Sequence, residues 1–279
     1  MRTRRQPNQD PSLARTARSQ SPLPFFLLVF ALSIPFYLLD AWTGIELLEG
    51  LPISVLMTFV PLCVALVLTA RASGAVGVKE LLARAVDVRR VRPKVWYLPA
   101  LLTMPAIEVL VYLLMRWLRL PLPPDPYIPL LPALAMCVGS LIAGVGEEGG
   151  WTGYAIDRMQ DRRSALGAAL LLGLVGPIWH LPSFVQVGRA PAWIAWQSLF
   201  MVAARVITVW LYNNTDRSIL IAVLFHATIN VSSFLFPNMG SHYDPRLTAL
   251  LTVVAVVIVT VGWGPQTLGG KSAAERERG

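Results

Sequence analysis

The chain has 279 residues, of which 55% are hydrophobic and only 14% are charged. Soluble globular domains carry about 25% charged residues, so this composition excludes an ordinary water-soluble fold. The apolar residues occur in blocks of about 20, the length that crosses a hydrocarbon core about 30 Å thick. The formal net charge of +8 resides mainly in the connections between these blocks, which indicates membrane topology and not nucleic-acid binding.

The chain is predicted to consist of an arm, one transmembrane domain and a tail. Residues 1–24 are rich in Arg, Ser, Gln and Pro and predict a disordered basic cytoplasmic arm. Residues 25–264 form the single predicted domain, and residues 265–279 predict a flexible cytoplasmic tail. The expected fold class is all-α, a polytopic transmembrane helix bundle. The eight predicted spans are 25–43, 53–70, 96–117, 129–146, 165–187, 193–212, 219–236 and 247–263.

Basic residues recur in alternate connections between the spans. Arginine and lysine precede the first span, fill the loop 71–95, follow the fourth and sixth spans and end the chain, whereas the other loops contain few. The positive-inside rule then places both termini in the cytoplasm, which an even number of spans also requires. Within the loop, "VKELLARAVDVRRV" has helical apolar spacing with basic residues between, and it predicts a helix on the inner membrane surface.

A few polar side chains interrupt the apolar spans. A charged side chain in lipid costs at least about 2.5–3.5 kcal/mol at the helix centre, so such residues tend to line internal cavities. Arg205 lies within reach of the cytoplasmic side and is expected to extend its guanidinium to that surface, while Glu108 either pairs with Arg205 or stays protonated. The full set is Glu108, Glu147, Glu148, His180, Arg205, His226 and Asn230.

The spacing of five of these residues favours a shared pocket. Glu147 and Glu148 are about 100° apart around a helix axis, so only one of them can point at a given reaction centre. His226 and Asn230 are four residues apart and share a helix face. For any one residue, an interhelical hydrogen bond is the simpler interpretation. A Glu pair, His180 and a His-x-x-x-Asn motif on three separate spans favour joint chemistry.

Three strings carry a family resemblance. "EEGGWTGYAIDRMQ", "WHLPSF" and "HATIN", in this order and on these spans, resemble the CAAX-protease and bacteriocin-processing (CPBP, or Abi) family of intramembrane proteases. The likeness covers about 129–236 and leaves the first two spans unmatched. It implies hydrolysis of a peptide bond in an active-site cavity between central helices. Bacterial members process small peptides or confer immunity to them, so the resemblance implies a role of that kind here. The expected location is the bacterial cell membrane, with the chain as a multi-pass protein.

The resemblance also implies roles for the motif residues. Glu147 would activate the attacking water with the help of His180. His226 and Asn230 would hold the oxyanion of the tetrahedral intermediate as two neutral donors on one helix face. Glu148 would support the site as the second carboxylate of the first motif.

Two positions depart from the family pattern, and the metal content is open. The first motif is usually EE-x-x-x-R, but Thr152 stands at the Arg position and cannot form a bidentate ion pair with a carboxylate. Gly176 stands where the second motif commonly has Phe. No cofactor is firmly predicted: glutamate-activated water without metal is favoured, and zinc bound by Glu147, His180 and His226 is the alternative.

The expected function is therefore an intramembrane endopeptidase of the CAAX prenyl protease-like or Abi type. Its expected partners are a peptide or membrane-protein substrate and the lipid bilayer; no nucleic acid is expected, and no sequence feature indicates an oligomeric state. A catalytically inactive membrane scaffold or regulator of the same fold is the alternative, motivated by Thr152. A proton-coupled transporter that uses Glu108 and Glu147 is less favoured, because the sequence contains no inverted repeat.

Overall fold

The computed structural model describes residues 21–48 and 51–269, and most of them lie in helices packed side by side. A short antiparallel pair, β1 (Glu46–Leu48) with β2 (Leu51–Pro52), connects the first two helices. The helices are α1 (Leu23–Thr43), α2 (Val60–Val86, preceded by a 3₁₀ segment Ile53–Phe59), α3 (Tyr97–Trp117, preceded by a 3₁₀ turn Lys94–Trp96), α4 (Leu130–Gly150), α5 (Ile156–Gln160), α6 (Ala165–Gln186), α7 (Pro191–Asn213), α8 (Ile219–Leu235) and α9 (Pro245–Trp263).

The bundle is that of a multi-pass membrane protein. In the part of the chain that the structure describes, seven helical stretches are long and apolar enough to cross a membrane. The predicted all-α polytopic fold is thus confirmed. The predicted span 219–236 corresponds to α8, which has 17 residues and is shorter than the other seven. It ends early because Pro237 disfavours helical geometry at Phe236, whose backbone is extended.

The second span and the helix predicted to follow it form one helical stretch with a sharp break. Gly74 has φ 61° and ψ −160°, a conformation that glycine adopts because it has no Cβ. Beyond the break, Leu81 and Ala85 face the core and are each 5% exposed, whereas Val76 and Val86 point outward. The segment after Gly74 is therefore amphipathic, as its spacing predicted, and its apolar face covers the bundle.

Helix α4 is central to the bundle. It packs extensively against α8 and α2, while α6 packs against α7, and α7 against α9. Helix α3 closes the far side of α8. This arrangement places α4, α6, α7 and α8 around one interior space.

Two glycines bring the start of the second span close to α4. A Cβ on Gly146 would lie 2.6 Å from the backbone oxygen of Thr58, and one on Gly150 would lie 2.5 Å from the Cβ of Pro61. No real side chain tolerates such distances, so only glycine permits this approach. The approach brings the 3₁₀ segment Ile53–Phe59 beside the acidic pair of α4.

The helix that carries the acidic pair continues beyond its predicted end. The predicted span 129–146 stops before Glu147, but the helix runs from Leu130 through a π-helical turn, Trp151–Ala155, into α5. Glycines weaken an isolated helix, and here their close packing against the second span offsets that cost. The two glutamates therefore lie in a helix interior, one turn before a π-helical turn of the kind often found at functional sites.

The residues that follow α9 are packed against the bundle. The backbone oxygens of Pro265 and Gln266 accept hydrogen bonds of 3.0 and 2.8 Å from the first N–H groups of α6. The side chain of Leu268 is fully buried. The first residues of the predicted tail 265–279 thus belong to the packed structure. The rest of that tail, and most of the predicted arm 1–24, lie outside the described residues.

Candidate active site

A cavity of about 280 Å³ lies between α4, α6, α7 and α8. All five residues that the sequence singled out line it: Glu147, Glu148, His180, His226 and Asn230. Apolar side chains, among them those of Phe184, Phe200 and Met201, form much of the remaining wall. The predicted convergence of three separate spans on one pocket is therefore present in the fold.

Glu147 is buried and has a neutral partner. Its side chain is 8% exposed, and its Oε1 accepts a hydrogen bond of 3.2 Å from the Thr58 hydroxyl. Among the described residues, no Arg, Lys or His lies within ion-pairing distance of this carboxylate. Glu147 thus lines the cavity with a carboxylate that forms no ion pair among the described residues.

Glu148 has the opposite environment. It is 1% exposed, and Arg205 donates to both of its oxygens, from Nη1 to Oε2 at 2.7 Å and from Nη2 to Oε1 at 3.0 Å. The Thr152 hydroxyl also donates to Oε2, and His226 Nδ1 lies 3.0 Å from Oε1. Both carboxylate oxygens are therefore committed to contacts within the bundle.

The expectation for Arg205 was wrong, and so was one of the two alternatives for Glu108, its pairing with Arg205. The Arg205 guanidinium points into the bundle and not to the cytoplasmic surface, because a buried, unpaired Glu148 carboxylate would be strongly destabilising. Glu108 does not pair with Arg205; its carboxyl oxygens accept hydrogen bonds of 3.2 and 3.4 Å from Thr248 on α9. Glu108 is also absent from the cavity wall.

The ring of His180 is held in one orientation. Its Nδ1 lies 2.9 Å from the backbone oxygen of Gly176, and because a carbonyl only accepts, Nδ1 carries the proton. In the neutral ring, Nε2 then has the free lone pair. Phe184 stacks on the ring at 5.9 Å between centroids. An aromatic contact four residues after the histidine thus takes the place of the Phe expected at Gly176.

Helix α1 contributes support that the sequence analysis missed. Trp179, which is 1% exposed and meets His180 edge-on, donates from its indole N–H to Ser33 at 2.8 Å. The Tyr37 hydroxyl donates to the backbone oxygen of Trp179. The motifs could not reveal these contacts, since the family resemblance does not extend to the first span.

His226 and Asn230 lie on one face of α8, as their spacing predicted, and both line the cavity. A carboxylate paired with Arg205 only accepts hydrogen bonds, so His226 Nδ1 carries the proton that it shares with Glu148. The other ring nitrogen, Nε2, is not engaged by this contact. Glu148 therefore fixes the orientation of the His226 ring.

The geometry does not fit the zinc alternative. Within residues 21–48 and 51–269, no group of three or more His, Cys, Asp or Glu side chains is placed to hold a metal ion. The three candidate ligands, Glu147, His180 and His226, line the same cavity without forming such a group.

Comparison with known proteins supports the motif analysis. Residues 129–232 match the family model described as type II CAAX prenyl endopeptidase Rce1-like. The chain is 30% identical over 129 residues to CAAX prenyl protease 2 of Methanococcus maripaludis, an alignment that covers 43% of this chain and 46% of that protein. The chain thus spans less than half the length of this relative. Over the matched segment, the resemblance predicted from the three motifs is confirmed.

Proposed function

We propose that the protein is an intramembrane endopeptidase in which Glu147 activates a water for attack on a peptide bond. The observation that carries this proposal is the convergence of Glu147, His180, His226 and Asn230 on one cavity. All four residues lie in the segment that matches a CAAX prenyl endopeptidase family. The adjacent carboxylates are already specialised, since Glu148 is held by a cation and Glu147 is not.

In the proposed reaction, Glu147 is the general base. The Thr58 hydroxyl holds its Oε1, which leaves Oε2 to accept a proton from a water in the cavity. His180 Nε2 accepts the second hydrogen bond of that water and orients it. The water oxygen bonds to the carbonyl carbon, the carbonyl π electrons move onto oxygen, and Glu147 later passes the proton to the departing amine as the C–N bond breaks.

His226 and Asn230 would stabilise the oxyanion in different ways. The Asn230 amide donates in its ordinary neutral form. His226 donates from Nε2 only when its ring is doubly protonated, because Nδ1–H is committed to Glu148. The pair of neutral donors expected from the resemblance thus becomes one neutral and one cationic donor. Two carboxylates then face two cations, Arg205 and His226, so the cavity carries no net charge.

The proposed substrate is a peptide or membrane-protein segment that reaches the cavity from within the membrane. The Methanococcus relative is named for CAAX prenyl proteolysis, and we extend to this chain only the class of substrate. The apolar wall formed by Phe184, Phe200 and Met201 suits apolar side chains next to the cleaved bond. We further propose a bacterial cell membrane as its location and cytoplasmic termini as its topology.

A substitution at Glu147 tests the proposal. Membranes from cells that express the wild type or Glu147→Gln are compared by terminal proteomics, and the protein is reconstituted with the peptides so identified. We expect the variant to lose cleavage and keep its fold, since Gln matches Glu in size. Glu108→Gln is the matched control, because Glu108 is also a buried glutamate in a membrane span but lies outside the cavity. Undiminished cleavage by Glu147→Gln would remove Glu147 from the mechanism.

The scaffold alternative was based on Thr152, which replaces the arginine of the family motif. That argument is weaker because Arg205 supplies a guanidinium to Glu148 instead. The same expression system separates the two functions. A cellular phenotype that persists after combined replacement of Glu147, His180 and His226 would favour the scaffold. A phenotype that each single replacement abolishes favours the endopeptidase.

A further inference from the structure

The position four residues after Glu148 lacks the guanidinium that the family motif places there. Thr152 occupies it and is completely buried. The Glu148 carboxylate nevertheless has a bidentate cation, which comes from Arg205 on α7 and not from its own helix. The guanidinium at this carboxylate is therefore supplied by α7, whereas the family motif would supply it from position 152.

Thr152 and Arg205 fit each other. Arg205 Nη1 donates to the Thr152 hydroxyl at 3.3 Å, and that hydroxyl donates to Glu148. A small side chain at position 152 leaves room for the guanidinium that arrives from the neighbouring helix. An arginine there would bring a second guanidinium to the same carboxylate, where like charges repel.

The backbone also makes room for this arrangement. A Cβ on Gly173 of α6 would lie 3.0 Å from the Cα of Val202 and 3.3 Å from the Cβ of Arg205. The absence of a side chain at Gly173 allows α7 to pack closely at the level of Arg205. Gly173 and Arg205 both line the cavity.

We propose that Arg205 is a positioning residue that supplies, from a different helix, the guanidinium missing at Thr152, and that it orients His226 through Glu148. The inference rests on the proposed function. The chain of contacts runs from Arg205 to the two oxygens of Glu148, and from Oε1 to His226 Nδ1 at 3.0 Å. Without Arg205, the carboxylate loses its bidentate anchor and the imidazole loses its fixed orientation.

Moving the cation to position 152, in the π-helical turn that continues α4, tests this inference. Wild type, Arg205→Met, Arg205→Lys and the double variant Thr152→Arg/Arg205→Met are assayed in liposomes with one cleavable peptide. For Arg205→Met we expect kcat to fall about 10- to 100-fold, the usual effect of removing a supporting partner, with KM changed less than about threefold. Arg205→Lys should have a kcat between those of the wild type and Arg205→Met, because an ammonium keeps the charge but cannot form the bidentate pair.

The double variant distinguishes positioning from simple packing. We expect it to recover most of the lost kcat, because an arginine at position 152 lies one helical turn from Glu148 on the same face. Arg246→Met is the control, since Arg246 pairs with Asp244 at the surface and is 51% exposed in its side chain. Wild-type kcat in Arg205→Met, or a folded double variant no more active than Arg205→Met, would overturn the inference.

A stability measurement separates this inference from the proposed function. Melting temperatures in detergent are compared for the wild type, Glu148→Gln, Arg205→Met and the combined variant. Coupling between the two positions, with the combined loss smaller than the sum of the single losses, supports the pairing even in a protein that cleaves nothing. Additive losses contradict it, whereas an inactive wild type contradicts the endopeptidase and not the pairing.

Discussion

The Thr58 hydroxyl donates a hydrogen bond of 3.2 Å to Glu147 and thereby connects the second span to the first motif. Thr58 is 7% exposed and belongs to the 3₁₀ segment that packs against Gly146. It lies outside the segment that matches the family model. The candidate site is therefore completed by a part of the chain that the motifs do not include.

Removal of this hydroxyl should weaken catalysis without abolishing it. Thr58→Val keeps the shape of the side chain, and a hydrogen bond to a charged group contributes about 1.5–3 kcal/mol. We expect kcat for peptide cleavage to fall about 10- to 100-fold, measured from initial rates in liposomes. Thr103→Val, which removes a hydroxyl bonded to the backbone of its own helix, is the control and should leave the rate unchanged. Equal rates for Thr58→Val and wild type would separate Thr58 from the chemistry.

Close helix packing at Gly150 predicts a stability defect. In Gly150→Ala the new methyl group would overlap Pro61, and overpacking costs about 1–3 kcal/mol. We expect a lower melting temperature in detergent. Gly139→Ala in the same helix is the matched control, since its added Cβ meets nothing within 4 Å and alanine favours helix. A melting temperature of Gly150→Ala at or above that of Gly139→Ala would contradict the packing described here.

Asn230 should act only on the transition state. Loss of one oxyanion donor typically lowers kcat about 10²–10³-fold, and we expect Asn230→Ala to do so with little change in KM. Asn230→Asp should be worse, because a carboxylate repels the developing negative charge. Steady-state kinetics test both variants, with Asn213→Ala as the control, since Asn213 bonds Gln160 outside the cavity. A rise in KM at constant kcat would assign Asn230 to substrate binding.

The packed segment after α9 predicts a stabilising role for Leu268. Its side chain is fully buried, and truncation of a buried Leu to Ala costs about 2–5 kcal/mol. Leu268→Ala should therefore lower the melting temperature. Leu250→Ala, at a position 47% exposed on α9, should change it little. Equal effects of the two substitutions would show that Leu268 does not anchor the segment.

The sequence predicted most of what depends on local composition. Span positions follow hydropathy, and seven of the eight predicted spans are helices long enough to cross a membrane. His226 and Asn230 share a face because four residues make about one helical turn. The grouping of Glu147 and His180 could be predicted only because their motifs occur together in a known family.

The remaining features depend on contacts between distant parts of the chain. Arg205 was expected at the membrane surface because its own span gives no sign of the buried Glu148 beside it. The helix was expected to stop near Gly146, since glycine's cost in a helix is visible in sequence but its packing against the second span is not. One signal was available: Thr152 left Glu148 without a cation, and Arg205 was one of the few arginines inside a span.

The π-helical turn Trp151–Ala155 gives the residues before it and after it different orientations around the axis of one continuous helix. It inserts one residue, which turns everything after it by about 100° relative to an uninterrupted α-helix. Asp157 thereby meets Arg217 at 3.1 Å and the Tyr212 hydroxyl at 3.0 Å, while Glu147 keeps facing the interior. Deleting one residue after Thr152 in this turn would rotate Asp157 away from Arg217 and Tyr212, whereas Glu147 and Glu148, which precede the turn, would keep their orientation.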